Sequence, residues 1–171
     1  MPTLESSQYS RANPETLKMA SREQTISAVR ILHFAFLATI FLFILFLHFV
    51  APTEAAISLS IVTAIACAAL ADIAFGVTMR RKYMDTVSQV LTVESDEARA
   101  LRLWRVANII SFVHAETVAL LGFALKVLGA NWKIAGPFFA IGFLLLLLWT
   151  PRLELPVSAS RPAPPPPMGT D

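Results

Sequence analysis

Residues 55–79 read AAISLSIVTAIACAALADIAFGVTM, twenty-five positions with a single charged side chain, Asp72. A surface helix of a soluble domain would carry a polar face along such a length. This stretch has none, and roughly 20 apolar helical residues are what a hydrocarbon layer of about 30 Å requires. Residues 29–50, 106–129 and 134–150 have the same character, and positions 33–50 contain no acid, lysine or arginine. These are continuous apolar runs rather than short alternating strands, and a helix satisfies its own backbone hydrogen bonds in lipid. The expected fold is all-α, an integral membrane bundle of four transmembrane helices.

Composition points the same way. The 171 residues are 56% hydrophobic and 15% charged, with a mean hydropathy of +0.62, whereas a soluble domain averages about 25% charged. That apolar content excludes a disordered chain, and a lone Cys67 excludes an intramolecular disulfide scaffold.

Basic residues flanking apolar spans set orientation. Arg11, Lys18, Arg22 and Arg30 stand at the entry to the first span, and Arg80, Arg81, Lys82, Arg99, Arg102 and Arg105 lie between the second and third. Both regions, and hence both termini, are expected in the cytoplasm of a bacterial inner membrane. The opposite connections carry only Lys133 and should be tight external turns. Trp104 and Trp149 fall at the expected inner interface and Trp132 at the outer one, where amphipathic rings prefer to sit. The basic residues are thereby explained without nucleic acid, despite a pI near 9.0.

The chain divides into a polar leader (1–28), the spans with a basic inner loop (80–105), and a proline-rich tail (151–171) read as extended or disordered. The first apolar run is longer than a signal-peptide core and follows a leader with Glu5, Glu15 and Glu23, so it reads as an uncleaved span. Ser21 and Gln24 have capping-box spacing, which predicts a short helix there, and Ser95 is placed to cap the third helix. Arg99, Arg102 and Arg105 recur every third residue at the start of that helix, a basic stripe suited to anionic lipid headgroups.

Ser60, Ala64, Ala68, Asp72 and Gly76 recur at steps of four, predicting a packing face on the second span, with Ala119 and Gly122 on the third. An acid inside a span costs roughly 2.5–3.5 kcal/mol on insertion scales, so Asp72 and Glu116 need a reason. Counted from Arg80 and Arg105 they lie at comparable depth, about 12 and 16 Å. They are the candidate proton- or cation-binding residues, with structural hydrogen bonding as the alternative. Haem ligation by His33, His48 and His114 is opposed by depth, because His33 and His48 are about 22 Å apart on one helix and His114 sits about 9 Å deeper than His33. His114 and Glu116 are two residues apart and so point to different sides. No phosphate loop, metal-ligand cluster or nucleophile arrangement occurs, and no cofactor is expected.

The run Ala115-Glu116-Thr117-Val118-Ala119-Leu120-Leu121-Gly122-Phe123 resembles the ion-carrying helix of the ATP synthase c subunit. That family spaces carboxylate, alanine and glycine as Glu116, Ala119 and Gly122 stand here, and the resemblance implies that Glu116 is the proton- or sodium-binding residue. The chain departs from the family in lacking its first-helix glycine repeats and its Arg-Gln-Pro loop, and in having a first and a fourth span. The whole also resembles uncharacterised four-helix bacterial membrane proteins. The expected role is therefore a non-enzymatic membrane protein, an accessory subunit of a complex or a self-assembling module with the lipid bilayer and other subunits or itself as partners. A proton- or cation-binding transport component is the alternative, ahead of a haem-binding electron-transfer subunit.

Overall fold

The computed structural model describes residues 14–50, 54–94 and 96–151. It is all-helical, with α1 (Pro14–Val50), α2 (Leu59–Gln89), α3 (Glu97–Val127) and α4 (Trp132–Leu148). The first three are long and apolar enough to cross a membrane, while α4 has 17 residues. Residues 1–13 and 152–171 lie outside the described chain, and with them most of the leader and the proline run of the tail.

Helix α3 is the hub. It packs against α1, α2 and α4, and α1 also meets α4, whereas among the described residues α1 and α2 share no extended contact. Ring pairs fix the relative directions. His33 and Phe36 of α1 meet Phe112, and Phe43 and Phe46 meet Phe123, so α1 and α3 run parallel. Helix α1 turns Val29, His33, Ile40 and Leu47 inward at near-heptad spacing and leaves Ile31, Phe34, Phe41, Leu42 and Phe49 exposed.

Between α3 and α4 the backbones approach closely, because small residues stand at the crossing. A Cβ on Gly142 would lie 2.7 Å from the Ala115 carbonyl oxygen, and one on Gly122 would lie 2.7 Å from Phe138 Cβ. The small residues of α3 thus receive α4; the expected partner was α2. The turn between these helices closes by a Schellman motif: Gly129, at φ 98°, donates to Lys126 O, and Ala130 donates to Leu125 O. Leu125 and Ala130 are buried together with Ala135, the apolar contact that accompanies this motif. Asn131 then caps α4, its side chain accepting from Ile134 N at 3.1 Å.

At the end that carries Arg30, Arg80 and Arg105, here the basic end, the helices outrun their apolar stretches. Helix α1 starts at Pro14, a position where a missing N–H costs nothing, so Ser21 lies inside the helix and accepts from Thr25 Oγ1 through its carbonyl. No separate capped helix exists there. Helix α2 continues to Gln89 and ends in a π-helical turn, Val90–Glu94, because Met84, Val87, Val90 and Leu91 extend its apolar stripe and pack in one core with Val29, Ala100 and Trp104. Residues 80–105 are therefore mostly helical rather than loop. Asp96 caps α3, accepting from Arg99 N at 2.9 Å; Ser95, the expected cap, lies outside the described residues. Trp104 and Trp149 are 2% and 9% exposed, so they fill the bundle interior and do not project as interface anchors. Trp132 alone of the three is exposed.

Candidate functional site

Helices α2 and α3 meet along a seam that is apolar for most of its length and polar at two levels. Asp72 Oδ1 and His114 Nδ1 lie 2.7 Å apart, with their side chains mostly covered. The approach is made possible by Gly76, one turn along α2 from Asp72. A Cβ at that position would sit 2.9 Å from both Cβ and Cγ of His114, so the imidazole rests on bare backbone. Phe75 meets the same ring edge-on at 5.5 Å between centroids. The second carboxylate oxygen, Asp72 Oδ2, is buried with no hydrogen-bond partner among the described residues.

Two turns toward the basic end, Arg80 Nη1 donates to Ser111 Oγ at 3.3 Å, and its guanidinium carbon stands 6.0 Å from the Trp149 ring centroid. The Ser111 hydroxyl in turn donates to Ala107 O at 2.8 Å. Asn108 is buried one turn further along α3, donating to Trp104 O at 2.8 Å while its Oδ1 has no partner among the described residues. His33 of α1 is 4% exposed, packed on Phe112 at 5.0 Å, with Nδ1 likewise unpartnered. The basic-end half of the bundle thus holds six polar side chains that are buried or partly buried, His33, Asp72, Arg80, Asn108, Ser111 and His114.

Glu116 does not join Asp72. Two residues separate it from His114, a rotation of about 200° around α3, which carries it to the side of Phe112 and Phe123, where α1 packs. It has no hydrogen-bond or ion-pair partner among the described residues. The carboxylate pair read from depth alone is replaced by a carboxylate and an imidazole. The sequence held the needed signal, since His114 lies nine residues from Arg105 and Asp72 eight from Arg80, depths that agree to within one residue. His114 was set against the other histidines and against Glu116 on its own helix, and not against Asp72 across the seam.

The step-four stripe on α2 also resolves differently. Gly76 is buried and Asp72 is partly covered, but Ser60, Ala64 and Ala68 are exposed. Residues four apart are rotated by 400°, so the stripe drifts by about 40° at each step and leaves the seam. The face that α2 presents to α3 instead includes Val62, Ala69, Gly76 and Tyr83, at steps of seven. Of the three arginines, Arg99 pairs with Glu94, while Arg102 and Arg105 are exposed.

A second charged residue is buried at the opposite end. Lys126 is 2% exposed, with Nζ 3.7 Å from Glu54 Oε1 and 5.4 Å from the centroid of Trp132. Ala55 N donates to Gly129 O at 3.0 Å beside it, so the segment before α2 is tied to the α3–α4 turn. These contacts close the end of the bundle. Cys67 is exposed on α2, not a packed interior residue. Among the described residues no three His, Cys, Asp or Glu side chains are gathered as metal ligands would be. Compared with protein-family models, curated proteins and solved structures, the chain matches none.

Proposed function

We propose that this is a multi-pass bacterial inner-membrane protein, non-enzymatic, with four spans and both termini cytoplasmic, which works by helix association as a self-assembling module or a subunit of a larger membrane complex. The observation that carries the reading is the outward face of α2. Ser60, Ala64, Cys67, Ala71, Ala74 and Thr78 follow one another at steps of four and three, and all are exposed. A seam of period 3.5 built from small side chains is the geometry that lets a second helix approach at a shallow angle. Lipid-facing surface has no need of it, and the outward face of α1 shows the contrast with Ile31, Phe34, Phe41, Leu42, Phe46 and Phe49.

Membrane placement is supported by charge. Arg30, Arg81, Lys82, Arg102 and Arg105 are exposed at one end, while at the other Lys126 is paired with Glu54 and Lys133 is the exposed lysine. Helix α4 measures about 26 Å at 1.5 Å per residue, near the hydrocarbon thickness.

Cys67 sits on the proposed seam and is the chain's one thiol. Oxidation with copper phenanthroline in native membranes should therefore join chains through it. A disulfide-linked homodimer supports the self-assembling form, and a mixed disulfide with another membrane protein supports the accessory form. Absence of any crosslink, both at Cys67 and at cysteines moved to Ala64 and Ala71, removes the support for assembly through this face. A transport component is the second reading, and the Asp72–His114 pair favours it more than Glu116 does.

A further inference from the structure

We propose that Asp72 and His114 form a proton-binding site inside the membrane span, loaded from the cytoplasmic end along the α2–α3 seam past Arg80 and Ser111. The inference rests on the membrane placement above and deepens the transport reading by naming both the site and its ligand.

The chemistry follows from charge. Held 2.7 Å apart, the two groups share one proton in an uncharged couple, in which a protonated carboxyl donates to Nδ1 of an imidazole that carries its own hydrogen on Nε2. The pair can also be fully ionised, with an imidazolium facing the carboxylate. Counted over both side chains, the ion pair and the neutral couple have no net charge. Release of the shared proton to water leaves one negative charge in the span, and uptake of a second proton leaves one positive charge. A span tolerates net charge poorly, so the couple exchanges its proton only if a countercharge and a path to water lie nearby.

Both are present. Arg80 stands two turns away on the same helix, held by Ser111 and by Trp149 of α4. Its backbone lies about 12 Å from Asp72 along α2, and its guanidinium reaches Ser111, three residues from His114 on α3, on the side from which protons would arrive. Asp72 Oδ2, buried and unpartnered, is an acceptor aimed into the seam that the His114 contact does not use. The remaining ionisable groups do not compete for it. Glu116 is turned to the α1 side of α3, Arg81, Lys82 and Arg105 are exposed at the basic end, and His33 of α1 lies against Phe112. Metal binding does not fit a site of two ligands.

The test is pH-difference infrared spectroscopy of the full chain in liposomes, stepping between roughly pH 5 and 9, a range that spans the protonation of histidine. The expected result is reversible carboxyl and imidazole bands in the wild type. The carboxyl band should vanish in Asp72→Asn and return in Asp72→Glu, and the imidazole band should vanish in His114→Gln. Asp72→Asn is nearly isosteric and keeps an acceptor for Nδ1–H, so its fold can be verified by unchanged helicity. Bands that persist unchanged in Asp72→Asn overturn the proposal, as does a wild-type spectrum with no such bands. Sidedness is read by adding impermeant buffer to vesicles of one orientation, and a response only to the external face overturns loading from the cytoplasmic end. Release of the protein by alkaline carbonate would overturn the membrane placement instead, a result separable from the infrared one.

Discussion

Gly142 of α4 lies directly against the Ala115 carbonyl of α3: a Cβ there would come within 2.7 Å of that oxygen and 3.1 Å of Ala119 Cβ. Both neighbours are fixed by helical hydrogen bonding, so neither can swing aside. Gly142→Val should therefore push the helices apart and destabilise the bundle by about 1–3 kcal/mol or more. Gly136 provides the control, since a Cβ there meets nothing within 4 Å, and Gly136→Ala should leave the midpoint of denaturation in mild detergent unchanged within about 0.5 kcal/mol.

Phe112 is fully buried beneath His33 and Phe36. Phe112→Ala should cost about 3–5 kcal/mol, the range for deleting a buried ring with partial relaxation around the cavity. The same unfolding measurement reports it, and Phe112→Leu should recover most of the loss.

Asp72 and His114 should behave as one unit in a double-mutant cycle. Asp72→Ala and His114→Ala each strand the partner's polar atoms, so the two effects should fall short of additivity by about 0.5–3 kcal/mol. Glu116→Gln combined with Asp72→Ala should be additive, because the two acids sit on different faces of the bundle. Coupling between Asp72 and Glu116 as large as that between Asp72 and His114 would contradict the geometry.

Gly129 holds a φ of 98°, and a Cβ there would lie 2.9 Å from Ala55 Cβ. Gly129→Ala meets both obstacles at once and should cost more than the roughly 1 kcal/mol typical of a left-handed position alone. Protease sensitivity of the segment around Glu54 should rise in step, since the Ala55 N to Gly129 O bond is displaced.

The number and order of the helices were legible in the sequence, because an apolar run has few competing explanations once it exceeds about 18 residues. Their ends were not. The extension of α2 through Val87 and Val90 depends on Val29 and Trp104 arriving from other helices, and composition cannot show who arrives. Depth along a helix was legible to within a turn, which suffices to place Asp72 beside His114 on the same level. Rotation around the helix was not, since it was read from steps of four while the seam follows steps of seven. That is why Ser60, Ala64 and Ala68 were assigned inward, and why α3 was expected to offer Gly122 to α2 when α4 occupies it. Trp104 and Trp149 were misplaced by a rule about interfaces that is silent when the ring has a core to fill.

The hub position of α3 also dictates an order of assembly. As the chain is made, α1 and α2 enter first, yet among the described residues they share no extended contact. Neither can dock until α3 emerges, and α4 then closes on Gly122 and Gly142. On the proposed membrane placement, the first half of the protein is thus two helices with no extended contact between them until α3 arrives. A chain truncated before α3 would not be a smaller version of the same fold.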